Sequence, residues 1–237
     1  MLAVFDHRTP LAAEQALKAH GIATLRLPAH PYLPAPVAAH GDMVLYFGKE
    51  KILCTQAYAR VAKEELECIA LHCQRPICMV EEEVFPSYPM DILFNAAVVG
   101  EDLFCFSEHT AGAILREFLP DRIHTVRQGY AKCSVLPVGP RAFLTQDPTL
   151  AKAGRALGMN VLELAANEIL LPGYDHGFWG GCASYAPYYS PKELFFCGDI
   201  HRHPKGQEIQ AFCNAHGRIP VALGAFPLTD VGTIFMI

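Results

Sequence analysis

Asp42, Asp91, Lys132, Cys182 and Asp230 follow one another at intervals of 49, 41, 50 and 48 residues. Three carboxylates, an ammonium and a thiol gathered in an apolar surround would shift one another's pKa values, as groups in active sites commonly do. Cys182 is the expected nucleophile. Gly180 and Gly181 before it let a substrate approach the backbone, and a cation at Lys132 or His176 would favour its thiolate. The surrounding segment "GYDHGFWGGCASY" contains Trp179 and has neither a helical nor a strand period, so it is expected to form the rim of a pocket, with Phe178 and Trp179 as a plug. The competing reading is structural: polar groups at strand starts that bond one another or trapped water, and cysteines, Cys133 and Cys182 included, that pack as small apolar residues.

The elements that would position these residues repeat along the chain. "DHRTPLAAEQALKAHG" from Asp6 and "DIHRHPKGQEIQAFCNAHG" from Asp199 share their order of His, Arg, Pro, amphipathic run and Ala-His-Gly, and "TQDPTLAKAGRALGMNVLEL" is a third version. Thr9, Asp147 and His203 precede prolines suited to a first helical turn, while Gly21, Gly158 and Gly217 suit left-handed caps. Upstream of these helices, "DMVLYFGKEKILCT", "DILFNAAVVGEDLFCFS", "AKCSVLPVGPRAFLT" and "CASYAPYYSPKELFFCG" each suggest strand, turn and strand. "AYARVAKEELECIALHC" and "HTAGAILREFL" supply two more helices. The chain starts in a second strand, "MLAVFD", and ends in a first strand, "LTDVGTIFMI", so the two ends make one unit. Five strand-strand-helix-strand units, each too small to bury a sheet alone, are expected to close into a ring that leaves no open edge. Strand alternation from the landmark residues then turns Asp42, Asp91, Tyr130, Lys132, Ser134, Cys182, Ser184 and Asp230 toward the axis and Cys133 toward the helices.

This arrangement resembles the guanidino-group-modifying superfamily, the pentein fold of five-bladed α/β-propellers that includes arginine deiminases, dimethylarginine dimethylaminohydrolases and amidinotransferases. "QGYAKCS" together with "GYDHGFWGGCASY" looks like a separate branch of it. The resemblance implies an α/β pentein fold over residues 1–237 as a single domain, and a small, guanidino or amidino, ligand on the axis. It matches Asp42 and Asp91 to carboxylates that grip a guanidinium, a planar cation suited to bidentate pairing. Tyr130 stands where these enzymes carry a histidine, and Gly232 and Thr233 stand where they carry the cysteine. Two functions follow as expectations. One is a thiol-dependent hydrolase or amidinotransferase acting on a C–N bond, with Cys182, Lys132 and His176 catalytic and Asp42, Asp91, Tyr130, Asp230, Trp179 and Ser184 holding substrate. The other is a ligand-binding or protein-interaction module without that chemistry.

Composition narrows the partners. A net charge of -5 without a Lys/Arg block argues against nucleic acid and anionic membranes. "MLAVFDHR" lacks the pattern of a signal peptide, and no run is long enough to span a membrane. Nine scattered cysteines suggest reduced thiols and a cytoplasmic protein. "CGDIHRH" offers Cys197, Asp199, His201 and His203 as zinc-type ligands, but a strand end followed by a helix start explains it as well, so neither a metal nor a cofactor is expected.

Overall fold

A computed structural model describes residues 1–186 and 191–237. The chain opens with strand β1 (Leu2–Asp6), helix α1 (Leu11–Ala19) and strand β2 (Ala23–Leu27). Next come α2 (Gly41–Val44), β3 (Tyr46–Phe47), β4 (Ile52–Cys54), α3 (Gln56–Val61), α4 (Lys63–Cys73) and β5 (Ile77–Met79). The third stretch holds β6 (Ala97–Val99), β7 (Asp102–Cys105), α5 (Gly112–Leu115) and β8 (Ile123–Thr125). The fourth holds α6 (Ala131–Ser134), β9 (Val135–Gly139), β10 (Ala142–Thr145), α7 (Pro148–Ala156) and β11 (Asn160–Glu163). The last holds β12 (Ser184–Tyr185), β13 (Glu193–Phe196), α8 (Gly206–Ala215), β14 (Ile219–Ala222) and β15 (Ile234–Met236).

These strands form five small sheets among the described residues. In β3-β4-β5, β6-β7-β8 and β9-β10-β11 the first pair is antiparallel and the second parallel. The two ends of the chain meet in the same manner: β15 pairs antiparallel with β1, Ala3 opposite Met236, and β1 pairs parallel with β2. The parallel step needs a crossover, which is why a helical segment precedes β2, β5, β8, β11 and β14. Every residue of β1, β4, β7 and β10 is buried, whereas the parallel strand beside each is only partly covered.

Local sequence accounts for the helices. Asp147 accepts hydrogen bonds from the Thr149 and Leu150 amides, Pro148 opens α7, and Leu150, Ala151 and Gly154 form its buried face. α1 buries Ala13, Glu14 and Leu17, and α8 buries Gly206, Ile209 and Cys213. Full burial of Leu17 contributes about 1.5–3 kcal/mol. Gly21, Gly158 and Gly217 have φ of +74°, +70° and +73°, the left-handed geometry expected of them.

Three expectations change. "AYARVAKEELECIALHC" breaks at Ala62 into α3 and α4, and "HTAGAILREFL" gives the one-turn α5 between two 3-10 turns. More consequentially, the landmark residues do not start strands. Asp42 lies in α2 and Lys132 in α6, while Asp91, Cys182 and Asp230 lie in turns or irregular backbone before strands. Their backbone groups bond between sheets instead of along ladders. Asp42 N–H donates to Gly232 O, Gly180 N–H to Cys133 O at 2.6 Å, and Val231 and Thr233 N–H to Gly181 O. A helical turn does not alternate its side chains, so strand phase does not govern α2 and α6, and Cys133 departs from the outward placement expected of it. The turn expected within "CASYAPYYSPKELFFCG" falls partly on residues 187–190, outside the described residues.

Candidate ligand site

The inner ends of the sheets carry a buried polar network centred on Thr233. Its hydroxyl accepts a hydrogen bond from Lys132 Nζ at 2.9 Å and presents its single proton to Asp42 Oδ2 at 2.8 Å, with Gly180 O at the same distance. Thr233 has φ of +70°, a conformation β-branched residues rarely adopt, and it is fully buried. Lys132 is buried beside the rings of Tyr185, 4.6 Å from its centroid, and Phe235, at 5.9 Å. Desolvation pushes the Lys132 pKa below the usual lysine value, while the charges of Asp42 and Asp230 pull the other way.

Asp230 completes the network. Its carboxylate accepts the Gly232 N–H at 2.9 Å and the Phe178 N–H at 2.8 Å, tying the loop around residue 178 to the approach to β15. Burial raises the Asp230 pKa; the adjacent His40 opposes that shift and Asp42 adds to it. The His40 imidazole lies 3.8 Å from Asp230 Oδ1 and 3.9 Å from Asp6 Oδ2. Gly181 is required at its position because a Cβ there would run into the Asp230 carboxylate.

Above this network opens a cavity of about 220 Å³. Tyr130, Tyr174 and Phe178 supply aromatic walls, Asp175, His176 and Asp230 ionisable ones, and His40, Met43 and Cys133 lie among the remaining lining residues. The Tyr130 hydroxyl donates to Asp91 Oδ2 at 2.7 Å, and its ring lies between those of Tyr88 and Phe178. Burial raises both the Asp91 carboxyl and the Tyr130 phenol, the latter also through the bond to Asp91. Among the described residues, Asp42 Oδ1 and Asp91 Oδ1 are buried without a hydrogen-bond partner.

The residues singled out from sequence divide into two groups. Asp42, Lys132 and Asp230 meet in the network, and Tyr130, Asp91 and His176 lie at the cavity or directly behind its wall. Cys182, Ser184 and Trp179 lie away from the cavity. The Cys182 thiol donates to Trp179 O at 3.4 Å within an apolar cluster that includes Leu136, Leu194 and Phe196, and it does not line the cavity. Burial holds this thiol well above the usual cysteine pKa, and Asp230 raises it further, outweighing Lys132. Ser184 Oγ accepts the Phe195 N–H at 2.9 Å, which holds β12 to β13. Trp179 is fully buried as a plug, edge-on to the His203 ring.

Cys133 takes the place expected for Cys182. Because α6 is a helical turn, Cys133 lines the cavity instead of facing the outer helices, with its backbone N–H on Asn95 Oδ1 at 3.1 Å and its sulfur accepting from Asn95 Nδ2 at 2.9 Å. Desolvation pushes the Cys133 thiol well above its ordinary pKa. The sequence reading also missed His40, Asn95 and Asp175. The signals were present: His40 stands two residues before Asp42, Asn95 four after Asp91, and Asp175 beside His176. In "CGDIHRH", Asp199 caps the turn at His201 and His203 bonds Glu168 at 2.7 Å. Among the described residues, no cluster of three or more His, Cys, Asp or Glu side chains could hold a metal ion.

Comparison with solved structures gives DDAH from Pseudomonas aeruginosa, a cysteine-to-serine mutant complexed with citrulline, at 9% identity and TM-score 0.55, covering 93% of this chain and 90% of that one. SxtG, an amidinotransferase of the saxitoxin biosynthetic pathway in Microseira wollei, matches at 12% identity and TM-score 0.54, covering 90% and 73%. A dimethylarginine dimethylaminohydrolase adduct with 4-chloro-2-hydroxymethylpyridine matches at 9% identity and TM-score 0.50, over 93% and 90%. At this identity the likeness shows the fold alone, an α/β fold similar to that of DDAH and the amidinotransferase. Among curated proteins no match is found. The sequence pattern of a family of unknown function, DUF6873, matches residues 4–235.

Proposed function

Because the chain belongs to the family of unknown function DUF6873, which carries no activity of its own to transfer, we propose its function from the cavity: it binds a small cation of guanidino or amidino type. The observation that carries this reading is a cavity of about 220 Å³ in which the rings of Tyr130, Tyr174 and Phe178 stand with the carboxyl groups of Asp175 and Asp230. Aromatic faces attract cations and carboxylates pair with planar N–H donors, so the two wall types suit one ligand. The names of two similar structures, an amidinotransferase and a dimethylarginine dimethylaminohydrolase, point to the same ligand class. In this reading the five sheets are blades of one pseudo-fivefold ring, the last blade made by both chain ends, and the protein works in the cytoplasm with its thiols reduced.

The ligand is bound without turnover. Neither Tyr130 nor Thr233 can act as the histidine and cysteine that the superfamily's enzymes place at those points, and the Cys133 thiol is held in its protonated form by burial. A second reading, in which the chain hydrolyses or transfers an amidino group, rests on Cys133: it is the one thiol among the cavity-lining residues and adjoins Lys132.

A thermal-shift panel of arginine, agmatine and methylated arginines tests the ligand class. At a ligand concentration 100 times Kd, binding adds about 2.7 kcal/mol, a rise of about 5–10 °C for a chain of this size. No rise with any compound would remove the guanidino reading. Sub-stoichiometric iodoacetamide between about pH 5 and 8 separates binding from catalysis, because a reactive thiolate is alkylated early. Preferential labelling of Cys133 in the folded protein would establish the catalytic reading, and its absence before unfolding supports binding alone.

A further inference from the structure

A second cavity, of about 170 Å³, shares His40, Leu171 and Asp230 with the first. Its polar lining comes from Asp6, Arg8, Thr9, His40 and Asp230, the rest from proline and aliphatic residues and Thr229. Asp6, Thr9, His40 and Asp230 are all more than nine-tenths buried.

Thr9 is the informative residue. It lies one residue before the cap position of α1, which Pro10 occupies, so unlike Asp147 at the start of α7 its side chain caps no helix. Among the described residues Thr9 Oγ1 has no hydrogen-bond partner although the residue is only 2% exposed. Buried hydroxyls are rarely left unbonded, so Thr9 Oγ1 is open to a group that enters the cavity.

The rest of the wall specifies that group. Arg8 gives its N–H groups to Asp6 and to the carbonyls of Ala35 and Pro36, so it is largely spent. Asp230 accepts one backbone N–H on each oxygen and retains free lone pairs. His40 stands beyond hydrogen-bond distance of both Asp6 and Asp230. Asp6 is already bonded to Arg8 while Asp230 meets no guanidinium, and most of the open valences are acceptors. A primary ammonium brings a positive charge and three N–H donors. At about 30 Å³ per water in the liquid, the volume admits an amine of a few carbons.

We propose that this second cavity binds a small primary alkylammonium ion, its charge set against Asp6 and Asp230 and one N–H donated to Thr9 Oγ1. The two cavities share Asp230 and His40, so Asp6 and Thr9 are the residues that distinguish this site.

The test titrates the full chain with methylammonium chloride and reads thermal stability, with sodium chloride and tetramethylammonium chloride, which lacks N–H donors, at equal ionic strength. The proposal expects saturable stabilisation by methylammonium alone. Thr9→Val should weaken it about fivefold, the loss of one hydrogen bond, and Thr9→Ser should keep the wild-type response. The response of Thr9→Val to methylguanidine, which carries a guanidino group and no primary ammonium, should match wild type, which separates this site from the first. Equal responses to the three salts would overturn the proposal without any variant having to fold, and so would a Thr9→Val protein that binds methylammonium as tightly as wild type does.

Discussion

Thr233 joins three parts of the chain through one hydroxyl: Lys132 after α6 begins, Asp42 in α2, and the glycine backbone at Gly180. Removing that hydroxyl leaves a buried ammonium and a buried carboxylate short of a partner. Thr233→Val should therefore cost about 1–3 kcal/mol in urea unfolding, and Thr233→Ser, which keeps the hydroxyl, much less. Lys132→Met is more severe, because it strands Asp42 and Asp230 without their cation; about 3–5 kcal/mol is expected by the same measurement. These residues show which features of the site the sequence displayed. Asp42, Lys132 and Asp230 announced themselves as charged groups in apolar stretches. Asn95 did not, since an amide carries no charge and its role depends on where α6 brings Cys133. Cys133 faces the cavity because its segment folds as a helical turn and not as a strand, while Cys182 packs into an apolar cluster.

At the scale of elements, α1 and β2 are joined by Glu14, which bonds Lys18 on its own helix and Thr24 and Arg26 on β2. These partners lower the Glu14 pKa from 4.5 to about 2, with desolvation acting against them. A carboxyl whose folded-state pKa is depressed stabilises the fold above the unfolded value and loses that contribution as pH falls. The Glu14 contribution should thus disappear between pH 4.5 and about 2. Unfolding measured across this range should be less steeply pH-dependent in Glu14→Gln. Helix starts offer a paired comparison: Asp147→Ala should cost about 1 kcal/mol through its lost cap, whereas Thr9→Ala removes no cap. Proline, cap and glycine signals made these helices legible in sequence. The one-turn α2 and α6 were not, because single turns leave no periodicity to read and are held by bonds between sheets.

For the whole molecule, β15 joins the two ends of the chain, paired with β1 on one side and with β12 on the other. Deleting residues 234–237 should abolish cooperative unfolding followed by circular dichroism, since both neighbouring strands lose a ladder partner. That the two chain ends pair was legible because "MLAVFD" and "LTDVGTIFMI" are each half of a unit that the middle of the chain writes out in full. The ligand cavity was not, because residues from 37 to 230 contribute to it and their convergence depends on tertiary placement.

The central claim is that the aromatic and acidic cavity holds a small guanidino or amidino cation. Calorimetric titration of the intact protein with agmatine, followed by recovery of the ligand, tests it most directly. The account predicts saturable binding, recovered agmatine that is chemically unchanged, and affinity lowered about two- to fivefold in Asp175→Asn, the exposed carboxylate at the cavity. The absence of binding heat with agmatine, arginine and methylated arginines alike would contradict it.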